Sequence, residues 1–298
     1  MAINLTVPQP IPAPTTPPQR GIKILRVGHS EAPSAERIII YGRAGIGKTR
    51  LALSLTPRFG KIAYYAADNN SEYLTSISPE KHNRIILAVP QGDDPILAFT
   101  KFCMHDWKST DPEIKTLIVD TYTKVAMDAI RHSANSGSIT NEKHFVVGDP
   151  KNGGQTIPNR GDYLAIENLS KGFLDLLFTH QRDMNIIFLC HEDIKLVEGT
   201  EAVGGPAHPG RSMTEYLPAQ FSTVIRLIRD KILLPKHSIP TDVVIAIADN
   251  DGKFIAKVRT QDETHPNPLG RVILDRDPSP YWEFYDKVNH VNKETTNG

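Results

Sequence analysis

The chain has 298 residues, enough to bury a sizeable core, and its 34 Lys plus Arg balance 34 Asp plus Glu. No global basic field advertises nucleic acid, so any such contact must come from local loops. The two cysteines, Cys103 and Cys190, lie far apart in apolar surroundings without metal-ligand spacing, which reads as buried, reduced thiols. With no basic-then-apolar leader and no apolar run of membrane-span length, the expectation is a soluble cytoplasmic protein with no membrane partner.

Residues 1–20 carry Pro8, Pro10, Pro12, Pro14, Pro17 and Pro18 among Thr, Gln and Ala, and read as an extended, disordered leader or a polyproline ligand. Residues 21–28 suggest a short lead-in strand. Arg37-Ile-Ile-Ile-Tyr-Gly then reads as a buried strand, followed by a glycine-rich turn and a helix over about 47–55 that stops at Pro57 and Gly60. Strands are expected over 61–66, 84–89 and 116–119, with a helical segment over 94–108 in which Ile96, Phe99 and Phe102 keep helical spacing. From 133 to 161 the pattern dissolves into a long loop. A helix returns at about 162–181, and a buried strand, Asn185-Ile-Ile-Phe-Leu-Cys, leads into a flexible glycine-rich loop over 192–211. The last third reads as strands over 223–228, 242–248 and 253–259, the final two joined as a hairpin by Asp249-Asn-Asp-Gly. The tail from 286 to 298 is polar and loose. Strands alternating with helices predict an α/β fold, a mostly parallel sheet flanked by helices with C-terminal antiparallel strands, in one domain over 21–285.

The chemistry concentrates at residues 42–49. Gly42, Arg43, Ala44, Gly45, Ile46, Gly47, Lys48 and Thr49 satisfy the P-loop pattern G-x-x-x-x-G-K-[ST], which four fixed positions meet by chance about once in a hundred chains of this length. Glycines let backbone N–H groups curl around a polyphosphate, and the helix start adds its positive dipole end. Lys48 reaches the outer phosphates and Thr49 holds Mg²⁺. The cofactors expected are therefore ATP and Mg²⁺. Asp120, at the end of Leu117-Ile-Val, is the candidate for the carboxylate that holds Mg²⁺ through water, and Asp68, also strand-terminal, is the candidate that polarises the attacking water. For both, the bland alternative is an acid capping a turn. His191 ends the 185–190 strand, where it can touch a γ-phosphate or serve as a satisfied structural histidine. His191-Glu192 is not part of an H-E-x-x-H zinc motif. Lys257 and Arg259 fall on one strand face, where they are either solvated cations or fingers reaching a neighbouring subunit's phosphates.

This order of features resembles the RecA-type ATPase core: a P-loop, a strand ending in an acid at Asp68, then Ile118-Val119-Asp120-Thr121, then a strand ending in a polar sensor and a glycine-rich loop. Over 36–260 it is similar to phage-type AAA-domain proteins, including single-strand annealing ATPases of phage recombination systems, which carry a His-Glu after the sensor strand as Cys190-His191-Glu192 does. The resemblance implies that Asp68 is the catalytic base, with Asp where Glu is usual, and that His191 replaces the usual Gln sensor. It also implies that Lys257 and Arg259 enter the adjacent subunit's site in a homo-oligomer, and that single-stranded DNA meets the loops after the Mg²⁺ and sensor strands. Thr121 stands where many ring-forming AAA+ ATPases have a Glu. In the first of those loops Arg131, Lys143, Lys151 and Arg160 outnumber Glu142 and Asp149. The second begins acidic, with Lys195 and Arg211 its only Lys or Arg; Arg226, Arg229, Lys231 and Lys236 supply another basic stretch. The reading is an ATP-hydrolysing domain for DNA recombination or annealing. The rivals are a nucleotide-gated binding module with little hydrolysis and a small-molecule kinase.

Overall fold

Strand β1, Arg37–Gly42, is buried on both faces, and the layers follow from that. Side chains alternate across a strand. Ile38 and Ile40 therefore enter one apolar cluster with Leu51, Tyr64 and Ile118, whereas Ile39 and Tyr41 enter a second with Phe99, Tyr122 and Phe188. A run of four apolar residues without polar interruption is what a strand covered by helices on both sides requires. The computed structural model describes residues 35–54, 60–68, 74, 84–91, 93–136, 145–147, 155–195, 203–210, 212–232, 239–248, 253–258 and 271–274. The 1–20 leader, the 21–28 lead-in strand and the 286–298 tail lie outside them.

Helix α1, Lys48–Leu53, covers the first face through Leu51, Ala52 and Leu53. The second face is covered by α2 (Pro95–Met104), α4 (Tyr122–Ser136), α5 (Arg160–His180) and α6 (Met213–Gln220). The one-turn α3, Trp107–Thr110, adds Trp107 to an aromatic cluster in which the tilted Tyr65, Phe102 and Trp107 rings follow one another at 5.0 and 5.1 Å. Helix α5 opens with a capping box: the Asn159 side chain accepts from the Asp162 N–H while the fully buried Asp162 carboxylate accepts from the Asn159 N–H and the Ser133 hydroxyl. Both cysteines are buried, Cys103 in α2 and Cys190 at the end of the strand over residues 185–190.

The main sheet contains nine strands among the described residues. Six run parallel in the order β3 (Ile85–Ala88), β2 (Lys61–Ala66), β4 (Ile114–Asp120), β7 (Asn185–Cys190), β1 and β10 (Thr223–Ile232). Beyond β10 the sheet turns antiparallel, with β11 (Thr241–Ile247) and then β13 (Arg271–Ile273). This is the α/β P-loop fold expected, and the strands over 61–66 and 185–190 fall where the sequence puts them. No described helix is long and apolar enough to cross a membrane.

Several expectations are corrected. The 94–108 helix breaks at extended His105, and Asp106 caps a separate turn by accepting the Ser109 N–H. The expected loop over 133–161 contains the end of α4 and two short paired strands, β5 (Phe145–Val147) and β6 (Gln155–Ile157). The flexible loop over 192–211 begins as an antiparallel pair, β8 (Glu192–Lys195) with β9 (Val203–Pro206). Among the described residues, the strands on either side of residues 249–252 do not pair with each other as the expected hairpin. Short β12, Lys257–Val258, and β11 both run antiparallel to β10, at Val224 and Thr223 and at residues 226–232 respectively. They therefore follow one another along a single edge. The ten-residue β10 offers backbone partners along its whole length, and satisfying them outweighs a local turn signature whose residues, 249–252, lie outside those described.

Candidate nucleotide site

Parallel pairing brings the strand ends into one row. Ala66 lies opposite Asp120, Asp120 opposite Leu189, and Cys190 opposite Tyr41, so β2, β4, β7 and β1 all end at the same edge of the sheet. From that edge β1 passes into the phosphate-type loop. Gly42 is held against β10 so closely that an added Cβ would sit 2.6 Å from the Leu227 carbonyl oxygen. Gly47, at φ 104°, then opens α1 from the left-handed region. Lys48 is buried, and its Nζ donates to the carbonyls of Gly42 and Arg43 at 3.1 and 3.0 Å. An ammonium is thus held across the mouth of the loop, where burial lowers its pKa below the ordinary value against the pull of Asp120. A buried cation ringed by backbone dipoles suits a polyanion.

Beside it, Thr49 Oγ1 donates to Asp120 Oδ2 at 2.7 Å, joining α1 to the end of β4 across 71 positions of sequence. The Tyr64 hydroxyl from β2 donates to the same oxygen. Burial pushes the Asp120 carboxyl above its usual range, and the Tyr64 and Thr49 hydroxyls act the other way by bonding the ionised form. A hydroxyl and a carboxylate side by side are hard oxygen donors of the kind Mg²⁺ takes together with phosphate oxygens and water. Asp68 follows β2, with its N–H and that of Ala67 both bonded to the Asp120 carbonyl at 3.2 and 2.7 Å. Its Oδ2 accepts from Thr121 Oγ1 at 3.2 Å and lies 3.9 Å from His191 Nε2. Burial, then the charge of Lys48, hold the His191 imidazole below its ordinary pKa. The structure therefore brings Lys48, Thr49, Asp120, Asp68 and His191 together.

Residues 34–260 match a protein family described as an AAA domain. The chain belongs to this AAA-domain family. The match covers about three quarters of the chain, and no curated protein matches it. As an AAA domain, the chain is a nucleotide-binding protein of the P-loop ATPase class.

Within this AAA domain, His191 is tied to the β8–β9 pair. Its N–H donates to Thr123 Oγ1 at 3.0 Å, Thr123 donates to the Ala207 carbonyl at 2.8 Å, and the Ala207 N–H returns to the His191 carbonyl at 2.8 Å. Glu192 accepts from Arg226 Nη2 at 2.7 Å, and the Arg226 guanidinium lies 3.1 Å from the centre of the Phe254 ring. Arg226, expected within a basic stretch for DNA, is thus committed to the interior of the AAA domain. Phe254 bridges Gly204, where a Cβ would fall 2.1 Å from the ring, so only glycine fits the present packing of β9. Tyr41 at the end of β1 donates to the Ile255 carbonyl at 2.9 Å.

Lys257 stands apart from the cluster. It pairs with Val224 near the start of β10, and its Nζ donates to the Ala219 carbonyl at 3.5 Å. Arg259 lies outside the described residues, as do Lys143, Lys151, Arg211 and Lys236. Arg131 and Arg160 fall on α4 and α5. Asp68 also lines a cleft of about 670 Å³ shared with Lys124, Asp128, Arg131 and His132. Sequence reasoning missed Tyr64, Thr121 and Thr123. The only signal for the last two was the run Asp120-Thr-Tyr-Thr, which flanks the acid with hydroxyls.

Proposed function

We propose that this AAA domain binds Mg²⁺·ATP through residues 42–49 and hydrolyses it. The observation that carries the reading is the Thr49–Asp120 hydrogen bond, which sets a hydroxyl and a carboxylate next to the Lys48 ammonium at one edge of the sheet. In this reading Lys48 and the loop N–H groups bind the phosphates, and Thr49 with Asp120 holds Mg²⁺, which neutralises phosphate charge when bound. Asp68, held by Thr121, accepts a proton from the attacking water and fixes its direction. His191 donates an imidazole N–H to the terminal phosphate, and the Thr123–Ala207 bonds connect it to the end of β9. Lys257 and Arg259 complete the site of a neighbouring copy in a homo-oligomer.

For the work done with this energy, the RecA-type resemblance supports recombination or annealing of single-stranded DNA, of phage type. The experiment is steady-state ATP turnover with and without single-stranded DNA across a salt series. The expected result is turnover that DNA stimulates, with the stimulation fading between about 50 and 200 mM salt as counterions displace phosphate contacts. Turnover indifferent to DNA removes the recombination role and leaves the ATPase. Tight MgATP binding without turnover favours a nucleotide-gated binding module.

A further inference from the structure

We propose that Tyr64 is a positioning residue, whose hydroxyl fixes the Asp120 carboxylate for Mg²⁺ and so sets the affinity of the site for the metal. This rests on the reading of Asp120 as the metal-side carboxylate.

The ring of Tyr64 is 2% exposed and belongs to the apolar cluster under α1, with Ile40, Leu51 and Ile118. Phenylalanine would serve that packing as well. A hydroxyl buried there is costly unless it is bonded, and this one is bonded to Asp120 Oδ2, the oxygen that also receives Thr49. Two donors on one oxygen from two elements, α1 and β2, remove the carboxylate's freedom to rotate and fix the direction of Oδ1. The two donors differ in duty. Thr49 is itself proposed to hold the metal, whereas Tyr64, from within the sheet, only orients groups that do: Asp120, whose Oδ2 it bonds, and Thr49 beside it. Groups that orient a metal ligand in this way typically change metal affinity by about 10–100-fold when removed.

The test is Tyr64→Phe, which deletes one oxygen and keeps the ring. Mn²⁺ is titrated into the protein–ATP complex and followed by EPR, and a fluorescent ATP analogue is titrated in EDTA. The expected result is a loss of about tenfold or more in Mn²⁺ affinity with metal-free nucleotide affinity unchanged. Asp120→Asn and the double variant complete a cycle, in which the two losses should be non-additive because one acts through the other. If Asp120→Asn weakens Mn²⁺ and Tyr64→Phe does not, the inference about Tyr64 is overturned and the assignment of Asp120 stands. Additive losses overturn it too, by placing Tyr64 on another path. A Tyr64→Phe protein that no longer binds nucleotide in EDTA reduces the hydroxyl to a structural bond. If Asp120→Asn leaves Mn²⁺ binding intact, the reading beneath the inference fails with it.

Discussion

Lys48→Ala should weaken MgATP binding at least about a hundredfold, measured by calorimetry or by displacement of a fluorescent analogue. A charge-assisted hydrogen bond is worth roughly 1.5–3 kcal/mol, and an ammonium bridging two phosphates makes at least two. The native contacts of Lys48 explain why the loss should be confined to binding. Its Nζ rests on two backbone carbonyls at the mouth of the loop, and burial already disfavours its charge. Removing the group takes a nearby positive charge from buried Asp120, but Asp120 keeps the Thr49 and Tyr64 hydroxyls, so the melting temperature should fall only slightly. Undiminished MgATP affinity in a folded Lys48→Ala protein would remove the central assignment.

Asp68→Asn should retain MgATP affinity within a few-fold while turnover falls by about 10²–10⁴, the range a positioned general base contributes. The substitution is close to isosteric, and the Asn amide oxygen can still accept the Thr121 hydroxyl that Asp68 accepts at 3.2 Å. The turn after β2 is also held by the backbone bonds of Ala67 and Asp68 to Asp120, which the change does not touch. The loss thus falls on the carboxylate's basicity. Single-turnover measurement at saturating MgATP separates chemistry from release. A rate equal to that of the native chain would return Asp68 to the role of a turn acid.

Why one part of this site was legible and another was not follows from where each signal lives. The P-loop is a contiguous run whose spacing is set by phosphate geometry, and β1 and β7 announce themselves because strands covered on both faces need uninterrupted apolar runs. Asp120 and Asp68 were legible as strand ends, since a polar residue closing an apolar run has few other places to go. Helix α4 went unread because its buried positions are mostly small: Ala126, Ala129, Ser133 and Ala134 accompany Val125 and Ile130 and blur the helical period. The β8–β9 pair looked like a loop because glycine and proline populate it, and its strand character comes from the two segments pairing with each other and from Phe254. The C-terminal pairing was misread for the same reason, since the edge of β10 is a non-local partner that no turn motif reports. Tyr64 is the clearest case. Within Lys61-Ile-Ala-Tyr-Tyr-Ala it reads as a core aromatic, and the acid that gives its hydroxyl a purpose lies 56 positions further on.

The burial of both cysteines has a practical side. Cys103 is 1% exposed and Cys190 fully enclosed, and burial raises both thiols, Cys190 up to about 12, so the thiolate an alkylating reagent needs is scarce as well as shielded. The native chain therefore offers maleimide dyes no competing target. A single cysteine placed on the outward face of α5, for example by Asp175→Cys, would carry a fluorophore at one defined position without first stripping the native thiols from the core.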